Sequence, residues 1–346
     1  MIETILITQK PLEKFYSKYF TFSYSSLNKL LHSAPMFYNW YILKERTDNL
    51  ESYLIEGKVI HCLLLEEKMF EKQFIVMPGS IPGSSNKKIV HFMYTEWKNS
   101  GEPVNNLNAY EDQILKWLID NDLHQKLGDD KDLTKVGAKT GDLKRLGKIL
   151  EPKSLNYFDY LKKSGNKDVI DQEVLDRCKE AVLAVKQNKK VMSLLQSGQS
   201  GFELLEIFNE QKLACQLQGL PFGLKGIVDN YVIDHANKKV YVNDLKTTGK
   251  TLREFRDSVD YYKYWMQAAI YERLVKANNK STKDYEFVFH FIVVDKYNQV
   301  YPFPVKKESL LEWQSQLEEV LKIAKYHYTN KNYTLPYEFA MDQVTL

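Results

Sequence analysis

At 346 residues the chain can bury a sizeable core, as one large domain or two small ones. Its 44% hydrophobic and 13% aromatic content excludes a disordered chain, and a formal charge of +3, from 48 Lys and Arg against 45 Asp and Glu, excludes nucleic-acid affinity through bulk charge alone. Three scattered cysteines, Cys62, Cys178 and Cys215, fit neither a disulfide framework nor a cysteine-rich zinc or iron–sulfur site, and they point to a reducing compartment.

The first residues lack a basic region followed by a long apolar core and a small-residue cleavage site, so no signal peptide is expected. The longest apolar runs, near Cys62 and Phe287, are too short to span a bilayer. A soluble protein of the cytoplasm is the expectation, with no membrane partner.

Tyr24, Ser25 and Ser26 precede Leu27, Leu30 and Leu31, whose spacing predicts an amphipathic helix with a serine cap. A second helix is expected after Pro35, with an aromatic stripe of Phe37, Trp40 and Tyr41 that suits core packing and, less commonly, base stacking. A third is expected over about Ser52 to Lys68. His61 lies in its middle, one turn after Gly57, in a setting typical of a core histidine. A glycine there costs about 1 kcal/mol relative to alanine, so another helix or a substrate should approach that face.

From Phe74 a short strand is expected, then a Gly-, Pro- and Ser-rich loop, a helical pair and a charged segment holding Lys131, Lys135, Lys139, Lys144, Arg145 and Lys148. Such a run is ordinarily a solvated surface, with contact to a DNA backbone as the alternative. One long helix is predicted from Asp171 to Gln196 and closed by Gly198 and Gly201. Two strands follow, Gly201 to Gln211 and Lys212 to Gly219. Then come two more strands from Gly223 to Thr248, a helix from about Leu252 to Lys276, a buried strand near Phe287, an edge strand with Pro302 and Pro304, and a last helix. The pattern describes an α/β protein with a mixed central sheet flanked by helices, N-terminal helices and a helical insertion.

The stretch Gly223 to Thr248 carries the chemistry. Alternation puts Val242, Asp244 and Lys246 on one face of a strand, and Ile227, Asp229 and Tyr231 on one face of its neighbour. A tight turn between them would bring the two aspartates together across the hairpin. Adjacent carboxylates repel unless a cation lies between them, and a small set of hard oxygen ligands suits Mg²⁺ or Mn²⁺. A lysine beside them can position or deprotonate water and offset charge on a phosphate. A structural Asp–Lys pair is the plainer alternative. Downstream, Tyr264, Gln267 and Tyr271 line one helix face, where they could meet a DNA backbone or serve only as packing.

Taken together, Gly57-x-x-x-His61, Asp229, Asp244-Leu245-Lys246-Thr247-Thr248 and Tyr264-x-x-Gln267-x-x-x-Tyr271 resemble the PD-(D/E)XK nuclease superfamily, and within it the phage and prophage RecE-type, exonuclease VIII-like enzymes. The resemblance covers about residues 22 to 80 and 170 to 305. It implies one restriction-endonuclease-like domain over the whole chain, with N-terminal helices at 22–80, a variable insertion at 100–165 and a catalytic core at 200–305. It also implies that His61, Asp229, Asp244, the Leu245 carbonyl and an acidic residue on the preceding strand bind the metal. Glu203 and Glu206 compete for that last place, with Glu206 preferred.

In the same family pattern Lys246 is the catalytic lysine, and Tyr264, Gln267 and Tyr271 contact DNA or position water. The function implied is Mg²⁺-dependent (or Mn²⁺-dependent) exonuclease action on double-stranded DNA ends in phage recombination or replication, in host cytoplasm. A homo-oligomer and a single-strand annealing partner come with the resemblance. A structure-specific or restriction-like endonuclease is the alternative, as is a non-catalytic DNA-binding protein on the same scaffold.

Overall fold

Ser23 opens the first well-formed helix, α1 (Tyr24–His32), through a capping box with Ser26, so the cap is a serine but lies ahead of the expected Ser25 and Ser26. The computed structural model describes residues 11–45, 52–101, 107–121, 123, 139–195 and 204–345. They divide into two compact units, one from Met1–Glu67 with Lys179–Leu346 and the other from Lys68–Cys178.

In the first unit α1 is followed by a short helical turn and a π-helical turn, Tyr38–Leu43. There Phe37 is fully buried and stacks on Tyr41, so the aromatic stripe is core packing. Helix α2 (Ser52–Leu65) carries Gly57 and His61. A Cβ on Gly57 would lie 3.3 Å from the Thr247 hydroxyl, so what approaches this face is a β-strand.

The second unit has a two-stranded parallel sheet, β2 (Phe74–Val76) with β3 (Asp168–Ile170). Its helices are α3 (Ser84–Ser100), α4 (Glu111–Asp120), α5 (Lys139–Ile149) and α6 (Pro152–Ser164). They close over a core that includes Ile89, Met93, Ile114, Leu118 and Phe158. Arg145 is fully buried here. At that position the solvated-surface and DNA-contact expectations both fail, because α5 turns the arginine inward beside Asp142. Lys131 and Lys135 lie outside the described residues.

The long helix predicted from Asp171 is two helices, α7 (Gln172–Gln187) and α8 (Lys189–Leu195). Asn188 breaks it: the side chain accepts from the Val191 N–H at 3.2 Å and starts a new helix. Gly198, Gly201 and Glu203 fall outside the described residues. The two strands expected around Gln211 are instead one strand, β4 (Leu205–Gln216). It pairs antiparallel with β5 (Gly223–Asp234) along its length.

β5 pairs with β6 (Lys239–Thr247) only from Asn230↔Asn243 to Asp234↔Lys239. At its other end the same edge of β5 takes β1 (Thr21–Phe22), in parallel at Gly223 and Leu224. Between these pairings β5 and β6 diverge, and the fork begins at Asp229. β6 continues parallel to β7 (Glu286–Val294), and the proline-bearing β8 (Val300–Val305) is the edge strand. The sheet is therefore mixed and six-stranded, as its alternating helices and strands imply.

The helix predicted over Leu252–Lys276 is broken as well, into α9 (Phe255–Tyr261) and α10 (Tyr264–Asn278). Lys263 between them takes a left-handed φ of 57°, which stops one helix and redirects the next. α10 lies on the sheet with Ala268, Ala269 and Leu274 fully buried, and α11 (Lys307–Asn330) packs beside it. At Gly226 a Cβ would come within 3.0 Å of Leu274 and Tyr271, so the missing side chain is what lets α10 sit this close to β5. Among the described residues no helix is long and apolar enough to cross a membrane.

Candidate active site

The fork between β5 and β6 gathers the functional side chains. Asp229 sits on β5 where the ladder to β6 ends, and its Oδ2 accepts the Leu245 N–H at 2.8 Å in place of a strand partner. One carboxylate thereby satisfies a buried main-chain donor and keeps its remaining lone pairs for the cleft. The hairpin register continued by one step places Asp244 opposite Asp229, as the sequence spacing requires. Asp244 is fully buried, and its Oδ2 meets Lys246 Nζ at 2.5 Å.

His61 reaches the fork from α2. Its Nε2 lies 3.1 Å from the Leu245 carbonyl, and its Nδ1 lies 3.4 Å from Glu210 Oε1 and 3.7 Å from Asp229 Oδ2. Ligand atoms of His61, Glu210 and Asp229 all fall within 4.8 Å of one another. The ring stands at the site rather than in an apolar core, and a quarter of its side-chain surface, 26%, is open.

Glu206 does not join them. It faces out on β4, 53% exposed, and pairs with His235 at 2.5 Å. The acid that reaches the cluster is Glu210, which the antiparallel register sets opposite Asp229. Glu210 holds a φ of 47°, a conformation that costs of order 1–3 kcal/mol for a residue with a Cβ. The correction follows from strand geometry, because Glu206 is opposite Ile233, four residues away from the level of the aspartates.

The charges respond to burial and to one another. Burial pushes Asp244 up to about 6, with Lys246 opposing and Asp229 adding to the rise. Asp229 is also raised, chiefly by burial, against the pull of His61 and Lys246. Burial disfavours the charged forms of His61 and Lys246, yet the surrounding carboxylates outweigh it and hold both above their ordinary values. The converging carboxylates thus favour the charged forms of both side chains.

The donor set fits a divalent cation. Asp244 Oδ1 is buried with no hydrogen-bond partner, an expensive state for a carboxylate oxygen unless a ligand completes it. Carboxylates with one main-chain carbonyl and one imidazole form a donor set that a divalent cation accepts. His61, Glu210, Asp229, Asp244 and the Leu245 carbonyl are the residues that would hold it.

α10 supplies the far wall. Gln267 donates to the Tyr271 hydroxyl at 2.8 Å, and both side chains are buried. Tyr271 is held well above its usual range by burial and then by the Asp229 and Asp244 charges, so its hydroxyl stays protonated toward the acids. Tyr264 lies under Lys246, with Nζ 4.9 Å from the ring centre. A cavity of about 560 Å³ opens beside this wall, lined by Tyr24, Ser25, Lys212, Lys225, Gln267 and Tyr271 among others.

Residues 163–334 match the family model of the PD-(D/E)XK nuclease superfamily, a span that contains Glu210, Asp229, Asp244, Lys246, Gln267 and Tyr271 and leaves out His61. Among solved structures, a protein of Eubacterium rectale provisionally described as an exonuclease is similar at 12% identity and a TM-score of 0.47, over 94% of this chain and 89% of that one. No curated protein sequence matches the chain.

Proposed function

We propose, from the match of residues 163–334 to the PD-(D/E)XK nuclease superfamily model, that this protein is a metal-dependent deoxyribonuclease acting on the ends of double-stranded DNA. The observation that carries the reading is the meeting of His61, Glu210, Asp229 and the Leu245 carbonyl beside a buried Asp244–Lys246 pair in one sheet fork. A structural ion pair alone explains neither the orphaned Asp244 Oδ1 nor the strained Glu210.

When bound, Mg²⁺ or Mn²⁺ would supply Lewis-acid polarisation of a phosphoryl oxygen. The chain's own residues do the rest. Asp229 and Asp244 would hold the cation, and Asp229 also accepts the Leu245 N–H, which steadies β6 beside the Leu245 carbonyl that faces His61. Lys246, held charged by Asp244, is placed to offset the negative charge that grows on the phosphate as water attacks phosphorus and the ester oxygen departs. Gln267 and Tyr271 form a fixed donor–acceptor pair that orients the phosphate or the attacking water.

The preference for DNA ends rests on the resemblance of the Gly57/His61, Asp244/Lys246 and Gln267/Tyr271 motifs to RecE-type exonucleases. In that reading the residues around 100–165 are an elaboration on the catalytic core, and an annealing protein and a ring-shaped oligomer are the partners to seek.

Linear, nicked circular and covalently closed circular duplexes incubated with Mg²⁺ test it. Processive loss of the linear duplex, abolished by Asp244→Ala and by Lys246→Ala, is expected. Cutting of closed circles at discrete sites would move the assignment to an endonuclease, and no metal-dependent cleavage at all would end it.

A further inference from the structure

A staircase of tyrosine rings leads from the catalytic lysine to the surface. Tyr264, under Lys246, stacks on Tyr262 with centroids 5.4 Å apart and planes 27° apart. Tyr262 meets Tyr261 edge to face at 4.9 Å. The outer two rings are open to solvent, Tyr262 at 43% and Tyr261 at 74%. Isolated exposed aromatics are ordinary, but a contiguous ring series that ends at a reactive centre is not.

The chain is bent to hold them there. Lys263 takes its left-handed conformation between Tyr262 and Tyr264, and that reversal at the α9–α10 junction is what lets rings two residues apart stack in parallel. The hydroxyl of Tyr24, from the start of α1, donates to the Tyr262 carbonyl and clamps the bend. Phe255 backs Tyr264 from below at 6.1 Å. Cations flank the rings: Lys250 Nζ lies 6.0 Å from the Tyr261 ring centre, and Lys246 lies at the inner end. Open aromatic faces between lysines are the chemistry that recognises a single nucleic-acid strand, the rings taking bases and the ammonium groups taking phosphates.

We propose that Tyr261 and Tyr262 form a stacking platform for unpaired bases of the strand whose phosphate lies at Lys246, holding it as single strand beside the cleft. The inference rests on the nuclease reading for its substrate and on the ring geometry for its residues. The platform lies outside the residues assigned to metal or phosphate, so its contribution is to binding and to the grip on an opened end.

The test uses the full-length protein in EDTA, with fluorescence anisotropy of two labelled oligonucleotides of equal length, one with bases and one entirely abasic. The parent protein should bind the base-bearing strand more tightly. Tyr261→Ala and Tyr262→Ala should each weaken that binding about tenfold while leaving the abasic strand unchanged, and Tyr261→Phe should restore it. Equal losses on both strands, or equal affinity of the parent for the two, would overturn the platform. Mg²⁺-dependent cleavage by the parent is measured alongside. Cleavage without base-dependent binding removes the platform and keeps the nuclease; base-dependent binding without cleavage does the reverse.

Discussion

Asn209, Asn230 and Asn243 cross β4, β5 and β6 on one face of the sheet, and one step away along the same strands Glu210, Asp229 and Asp244 cross on the other. The amide row is knitted together. Asn243 Nδ2 donates to Asn230 Oδ1 at 2.7 Å and Asn230 Nδ2 to Asn209 Oδ1 at 2.8 Å, while Asn243 also reaches the Leu194 carbonyl at the end of α8. Its one loose end, Asn243 Oδ1, is opposite His290 in the register, a ring that burial pushes down to about 4 and keeps neutral. The acid row has no such closure. Its positive partners, His61 and Lys246, come from outside the row or two residues along it, and Asp244 Oδ1 has none. The neutral row is closed except at Asn243 Oδ1, whereas the charged row strands a carboxylate oxygen, the costlier group to leave open without a ligand.

The largest effect that separates the two rows is on chemistry. Asp244→Asn keeps the shape of the side chain and removes its charge, so metal-dependent cleavage should fall at least about a hundredfold in a gel assay. Its effect on the metal-free fold runs the other way. Burial raises Asp244 from 3.8 to about 6, so the folded state binds this proton more tightly than the unfolded chain. That stabilisation is complete below the unfolded value and is lost as pH rises through about 6. Without metal, thermal melts should therefore show the parent protein losing about 1–3 kcal/mol between roughly pH 4 and pH 6, a slope that Asp244→Asn flattens. Saturating Mg²⁺ should restore the parent at neutral pH.

The amide row should answer in the opposite sense. Asn230→Ala strands Asn209 and Asn243 together, and urea unfolding should show a loss of about 1–3 kcal/mol. The two acids of β4 give the finest contrast. Glu210→Gln should weaken divalent-metal binding about tenfold by calorimetry. Glu206→Gln, an exposed acid paired with a half-buried His235, should change stability by no more than about 1 kcal/mol and leave metal affinity where it was.

The acid row was readable because two of its members sit on one hairpin. Asp229, Asp244 and Lys246 obey strand alternation around a short turn, and local periodicity reports such neighbours directly. His61 needed the family pattern, since a histidine on an apolar helix has no local sign of a partner 184 residues away. Glu210 was missed for a physical reason. Gln211 and Lys212 look like a break between two strands, whereas a single left-handed residue lets β4 run through and turns an acid toward Asp229. The same limit hid the α9–α10 junction, where the left-handed residue is a lysine and nothing in its chemistry announces it. The second unit, whose core comes from helices scattered between 84 and 164, had a periodicity too weak to expose α6 or β3.

The most direct test is to soak crystals of the protein in Mn²⁺ and record anomalous scattering. The account predicts one strong peak in the β5–β6 fork, within coordination distance of Asp229, Asp244 and the Leu245 carbonyl, that disappears in Asp244→Asn. A fork with no peak at saturating Mn²⁺, or a peak that persists unchanged in that variant, would contradict it.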